Sequence, residues 1–217
     1  DKAENLFRDK RFFHWDLEFP EVFIDLKTAK WKNDGGFDVI LGNPPYVSSR
    51  NEVIYSQNHD YIEKNYSTAF YQVDLYYLFV ERSSHLITNS GNWSFIIPDT
   101  WIASTKANKF REWIVNRYSF RKFAFPKGKI FEAEVDCFIP ICRNEPTKNL
   151  ETKIFELFKD DEILINQIEL PDDGKEFPIF IDVALLHTIE SQSERLESIS
   201  FTGRGIGAYH HSKHSKE

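Results

Sequence analysis

Four consecutive residues, Asn43-Pro44-Pro45-Tyr46, carry the most chemistry in this sequence. They follow Phe37-Asp38-Val39-Ile40-Leu41, a short apolar run between glycines that reads as a buried strand. Two successive prolines remove two N–H donors and fix two φ angles, so neither a strand nor a helix continues through them. The result is a stiff corner at the carboxyl end of a strand, which is where open α/β sheets bind ligands. An exocyclic amine such as that of adenine is a poor nucleophile, because its lone pair is delocalised into the ring. Two acceptors aimed at its two N–H bonds favour the pyramidal form that develops in the transition state. The Asn43 side-chain oxygen and the Pro44 carbonyl are candidates for those acceptors. Pro45 stiffens the corner, and the Tyr46 ring offers a face on which an extruded base can stack. The plain alternative is an ordinary turn after a strand, since Asn and Pro are common loop residues.

The surrounding pattern supplies the elements that must hold this corner. Residues 1–34 read as an irregular aromatic and charged lead-in with one short turn of helix, and Gly35-Gly36 breaks the chain before the strand. Residues 47–68 are polar and read as a loop. From Asp74 to Thr88 apolar residues recur at three and four, which predicts a helix, and Trp93 to Pro98 reads as a second buried strand. Thr100 to Tyr118 reads as another helix, and Phe120–Phe125 and Val135–Cys142 as two further strands. This order predicts an α/β sheet, mostly parallel, with an antiparallel hairpin at its end. Beyond Arg143 the character changes to a polar linker, interrupted segments and a helix over Ile179–Ile189. The expected division is therefore 1–146 and 147–217.

Bulk composition excludes some classes and leaves others open. A hydrophobic share of 41% supports a packed core, and no apolar run is long enough to cross a bilayer as a helix. Cys137 and Cys142 offer neither a disulfide framework nor metal-ligand spacing, as expected in a reducing cytoplasm. The net charge is −7, yet residues 106–129 carry +7, which leaves −14 on the remainder. Lys106, Lys109, Arg111, Lys127 and Lys129 in that strip are candidates for contacts to a nucleic-acid backbone; a solvated helix face gives the same pattern. The chain begins with Asp1 and contains no methionine, and it reads as a piece of a longer polypeptide.

With these features in place, the sequence resembles the amino-methylating, S-adenosylmethionine-dependent DNA methyltransferases, especially the large type IIG restriction-modification enzymes. Four stretches carry the likeness, in the family's order. They are Phe12-Phe13-His14-Trp15-Asp16-Leu17-Glu18-Phe19-Pro20-Glu21-Val22-Phe23 and Gly36-Phe37-Asp38-Val39-Ile40-Leu41-Gly42-Asn43-Pro44-Pro45-Tyr46-Val47, then Asp74-Leu75-Tyr76-Tyr77-Leu78-Phe79 and Gly91-Asn92-Trp93-Ser94-Phe95-Ile96-Ile97-Pro98. Ile130-Phe131-Glu132-Ala133-Glu134-Val135-Asp136 is a looser fifth, and together they span roughly residues 12–143. The resemblance implies the carboxyl half of a Rossmann-like methyltransferase sheet followed by the opening of a target-recognition region. It implies methylation of the amine of a flipped adenine in double-stranded DNA, in the bacterial cytoplasm. It also implies that Phe131 stacks on the base face opposite Tyr46; the alternative for Phe131 is a core position. Asp74 matches the acidic start of the family's helix and is a candidate cofactor contact, or a plain helix N-cap.

The family's glycine-rich cofactor turn precedes its base-binding motif, and the 42 residues before Asn43 contain no such turn. This chain alone is therefore expected to bind S-adenosylmethionine poorly. Gly203-Arg204-Gly205-Ile206-Gly207 is a possible substitute in a permuted arrangement, but no apolar helix follows it. His210, His211 and His214 lack a carboxylate or cysteine partner for a metal, and none is expected. A nuclease domain is expected only elsewhere in the same polypeptide. Two other functions stay open: a methyltransferase acting on protein glutamine or RNA, and a non-catalytic DNA-binding piece.

Overall fold

The computed structural model describes residues 13–47, 52–69, 74–128, 136–147, 150–179, 191–192 and 194. The chain divides into two units, residues 1–179 and 180–217, and every strand below belongs to the first. The expected helix over Ile179–Ile189, the glycine cluster, the three late histidines, Lys129 and Phe131 lie outside the described residues.

The lead-in forms two one-turn helices, α1 (Trp15–Glu18) and α2 (Pro20–Phe23), then a small antiparallel pair of β1 (Ile24–Asp25) and β2 (Lys30–Trp31). Trp15, Phe19 and Phe23 each meet the ring of Phe37 edge-on at 5.5–5.6 Å between centroids, the offset geometry that aromatic quadrupoles favour. Phe37 opens β3 (Phe37–Gly42), which ends at the tetrapeptide. After it come α3 (Glu52–Asn65), α4 (Leu75–Ser84), β4 (Ile87–Phe95) and β5 (Ile97–Pro98). A single 3-10 turn (Thr105–Ala107) leads into α5 (Asn108–Arg117). The last four strands are β6 (Ser119–Pro126), β7 (Cys137–Arg143), β8 (Glu151–Leu157) and β9 (Glu162–Glu169).

The large sheet has the order β3-β4-β7-β6-β8-β9, with β5 paired to β7. β3 and β4 are parallel, as are β6 and β8, whereas β7 is antiparallel to both β4 and β6, and β9 to β8. Hence β3, β4, β6 and β8 run one way, and β7 and β9 run against them. The α/β class is as the sequence predicts. The hairpin of β6 and β7 is not terminal, however, because its reversed strand is inserted between β4 and β6. Nor does the sheet stop at residue 146: β8 and β9 extend it through Glu169.

Two close approaches set the register at the start of β3. A Cβ on Gly36 would lie 2.7 Å from backbone atoms of Ile87 and Thr88, and one on Gly91 would lie 2.4 Å from the Ile87 side chain. Trp93, Phe123, Phe138, Ile114 and Ile154 are fully buried, each contributing about 1.5–3 kcal/mol by leaving water. Helices α4 and α5 meet through Tyr77 stacked on Phe110 at 3.9 Å between centroids. The segment after β9 returns to this core, with Phe177 packed on Trp101, Phe120 and Phe123.

Candidate active site

The tetrapeptide leaves the sheet at the carboxyl end of β3 with Asn43 and Pro45 exposed, Pro44 buried and Tyr46 half-buried. Each proline fixes its own φ and lacks an N–H, so the ladder cannot continue through positions 44 and 45. The ladder explains where the corner is held. β3 and β4 pair as Leu41 with Ser94 and Gly42 with Phe95, so the next pair in register is Asn43 with Ile96. The Ile96 N–H donates to the Gly42 carbonyl at 3.1 Å, as a parallel ladder requires. Its carbonyl would next accept from the N–H of residue 44, but Pro44 has none. The Tyr46 hydroxyl donates there instead, at 2.8 Å. On the far side, the Leu75 N–H at the head of α4 donates to the Val47 carbonyl at 2.9 Å. The corner is thus tied down at Gly42, Tyr46 and Val47.

Cys137, at the start of β7 opposite Pro98, lies against the Tyr46 hydroxyl. Burial, reinforced by this thiol, pushes the Tyr46 phenol well above its ordinary range, so it is a proton donor at any physiological pH. Burial likewise raises the Cys137 thiol, with Asp99 and Asp136 adding to the effect. The Asp99 carboxyl is itself raised by burial and by Asp136. Sequence reasoning missed both Ile96 and Cys137. The only signal for Ile96 was the proline at position 44, which orphans one carbonyl on the neighbouring strand.

Asp74 occupies the N-cap position of α4 in extended conformation, but its side chain makes no capping bond. Burial raises the phenols of Tyr76 and Tyr77, and the Asp74 carboxylate adds to both shifts. Of the basic strip, Lys106 in the 3-10 turn and Lys109 in the first turn of α5 are exposed. Lys127 pairs with Glu156 at 2.6 Å. Arg111 is 1% exposed and does not face solvent, contrary to its expected place on a phosphate-binding face. Its guanidinium donates to the carbonyls of Trp101, Ser104, Gly174 and Lys175. Arg111 follows Phe110 and precedes Ile114 on the buried side of the helix, and its charge is satisfied by backbone oxygen.

The described residues offer no glycine-lined cradle for S-adenosylmethionine. Gly35, Gly36, Gly42, Gly91 and Gly174 pack on this chain's own atoms, and Gly128 stands in open space. Among the described residues there is also no group of three or more side chains placed to hold a metal ion.

Comparison with known proteins agrees with the residues. Residues 1–131 match the family described as Eco57I restriction-modification methylase. The Type II restriction enzyme and methyltransferase RM.Eco57I of Escherichia coli is 31% identical over 98 residues, 44% of this chain and 10% of that protein. The Type II methyltransferase M.BstVI of Geobacillus stearothermophilus is 31% identical over 119 residues, 54% of this chain and 21% of that protein. The chain thus spans between a tenth and a fifth of these relatives' lengths. Among solved structures, the type IIG restriction endonuclease BpuSI aligns with a TM-score of 0.44 and 22% identity, over 56% of this chain and 15% of that one. On the match that covers its first 131 residues, the chain belongs to the Eco57I restriction-modification methylase family.

Proposed function

We propose that the protein carrying this chain transfers a methyl group from S-adenosylmethionine to the exocyclic amine of an adenine extruded from duplex DNA, within a restriction-modification system. The observation that carries the reading is an exposed Asn43 on a corner fixed at both ends by Ile96. Asn43 Oδ1 and the Pro44 carbonyl accept the two amine N–H bonds and orient its lone pair outward. Because the corner is already ordered, little conformational freedom is lost when the base arrives. The Tyr46 ring takes one face of the base, and its hydroxyl tether fixes the plane of that platform; Phe131 is assigned the opposite face. Asp74, at the head of α4, is the candidate contact to the methyl donor among the described residues.

Exposed Lys106 and Lys109 are assigned to DNA phosphates, with the paired Lys127 at the margin; Lys129, outside the described residues, is assigned the same role from the sequence. RM.Eco57I is named as both a restriction enzyme and a methyltransferase, which supports a nuclease domain in the same polypeptide. The opening of a target-recognition region is assigned within residues 147–217, and the end of the first compact unit at Ile179 supports its lying beyond β9. No helix among the described residues is long and apolar enough to cross a membrane, and a bacterial cytoplasmic location fits a DNA substrate.

The test is transfer of labelled methyl from S-adenosylmethionine to duplex DNA by the full-length protein, with single-stranded RNA and a glutamine-bearing protein as competitors. Label is expected in adenine of the duplex alone, and it is lost with Asn43→Ala. A fully active Asn43→Ala protein would leave only a DNA-binding role for this corner. Label in RNA or protein would reassign the substrate.

A further inference from the structure

Between the corner and α4 the chain makes an excursion that carries α3, and both of its ends are fastened to α4. The near end is the bond from Leu75 N–H to the Val47 carbonyl, at 2.9 Å. The far end is the turn at Ser67-Thr68, which rests on Glu81. One carboxylate oxygen of Glu81 accepts from the Ser67 N–H and the Ser67 hydroxyl, both at 2.8 Å, and the other accepts from the Thr68 N–H, also at 2.8 Å. Glu81 is 5% exposed. A carboxylate is rarely buried at such depth without compensation, and here three donors supply it. Leu75 and Glu81 stand six residues apart, about 9 Å along the helix axis, so α4 is a single post for both ends.

Glu52 follows Val47 by five residues, so α3 begins within about 18 Å of the corner. From Asn58 onward the helix is anchored by buried Ile62 and presents exposed Asn58, Asp60, Tyr61, Glu63, Lys64 and Asn65, a polar face of mixed charge on which Asn65 donates to the Tyr61 carbonyl.

We infer that Glu81 is a positioning residue for the base-binding site: it fixes the far end of the excursion, so that α3 stands as a wall beside the corner when duplex DNA binds. This rests on the function proposed above, and it assigns Glu81 no contact with substrate. A buried glutamate whose work is only to stabilise the fold would change melting temperature without selectively changing DNA affinity. A positioning glutamate changes the KM for DNA.

The experiment compares Glu81→Gln and Ser67→Ala with wild type in the full-length protein. Glu81→Gln places an amide where the Thr68 N–H needs an acceptor, and Ser67→Ala removes only the hydroxyl bond on the exposed side of the turn. Three quantities are read: KM for duplex DNA, kcat, and the rate of tryptic cleavage after exposed Lys64 in native buffer. The expected result for Glu81→Gln is a KM raised about tenfold with kcat within about twofold, and cleavage after Lys64 accelerated well before global unfolding. Ser67→Ala should shift both in the same direction by a smaller factor. Wild-type KM with wild-type cleavage overturns the inference. So does a fall in kcat at unchanged KM, or cleavage that merely follows global unfolding. If Glu81→Gln does not fold, Ser67→Ala decides by the same criteria. Cleavage after Lys64 reports the tether whether or not the protein methylates DNA, so failure of the proposed function and failure of this inference are separable.

Discussion

The Tyr46 hydroxyl takes the place on the Ile96 carbonyl that the N–H of residue 44 would fill in an unbroken parallel ladder. Pro44 ends the strand and creates the vacancy, and two residues later Tyr46 closes it. Stiffness and the aromatic platform therefore arise from one local exchange of hydrogen-bond donors. The half-buried ring is locked in orientation by an atom that stacking does not need, so the two roles of Tyr46 can be separated by mutation.

Tyr46→Phe keeps the ring and deletes the donor. A single neutral hydrogen bond contributes about 1 kcal/mol, so the melting temperature should fall by roughly 2–4 °C. Methyl transfer should fall by less than about tenfold, the equivalent of that bond. Tyr46→Ala also removes the stacking face, worth about 1–3 kcal/mol per base, and should lower single-turnover methylation by a further factor of about 5–150. Calorimetry and rapid-quench assays on the same preparations distinguish the two contributions.

Arg111 and its lysine neighbours should part company in salt titrations. Arg111→Ala leaves four backbone carbonyls without their donor and should destabilise the fold by roughly 3 kcal/mol, measured by denaturant unfolding. Arg111→Lys should recover little of this, because an ammonium cannot reproduce the planar fork. Neither change should alter the slope of log K against log salt for DNA binding. Lys106→Ala and Lys109→Ala should each reduce that slope by about 0.9 with little effect on stability.

These predictions mark which parts of the molecule its sequence discloses. The corner and the existence of β3, α4 and β4 are readable because their signals are local: glycine and proline punctuation, an apolar run, and a three-four repeat from Leu75. But β3 lies at the end of the described sheet with Val39 and Leu41 exposed, not buried, and β4 starts at Ile87, inside the span read as helix. Arg111 misleads because a count of charges along a strip ignores which side of α5 each residue occupies. Helix α3 hides in a polar stretch, and Ile62 is its buried residue among those whose side chains are described. β8 and β9 hide because only Thr152, Ile154 and Ile168 in them are buried, too few to set a clear alternation against the surrounding charges. The Tyr46 tether joins positions fifty residues apart and becomes visible only when the register of β3 on β4 is known.

Alkaline pH should weaken the fold through its buried phenols, Tyr77 and Tyr118 among them. Burial pushes Tyr77 and Tyr118 each up to about 12 from the ordinary value of 10.0. The folded state therefore retains these protons where the unfolded state has released them, and its stability must fall as pH rises. Their contribution is complete below pH 10 and is lost between about 10 and 12. Phenolate absorbance and circular dichroism recorded on one sample should show stability independent of these groups up to pH 10, then ionisation and unfolding in a single transition. Titration of all nine tyrosines near 10 in protein that stays folded would contradict the burial of both rings.

Substitutions at Asn43 test whether the corner acts through an acceptor or through the amide's shape. Asn43 is exposed at the end of β3, so its replacement should leave stability within about 0.5 kcal/mol of wild type. Asn43→Ala removes the acceptor outright, and loss of one such preorganised group typically costs a factor of about 10²–10³ in kcat. Asn43→Asp keeps an oxygen in nearly the same place and adds negative charge. That charge strengthens acceptance from an amine becoming cationic, but it also repels DNA phosphates. The expected Asn43→Asp phenotype is therefore a kcat within about tenfold of wild type, with a KM for DNA whose ratio to the wild-type value is largest at low salt and narrows as salt screens the charge. If Asp and Ala variants lose kcat equally, the Asn43 oxygen is not the group that meets the amine, and the NH₂ half of the amide must carry the role instead.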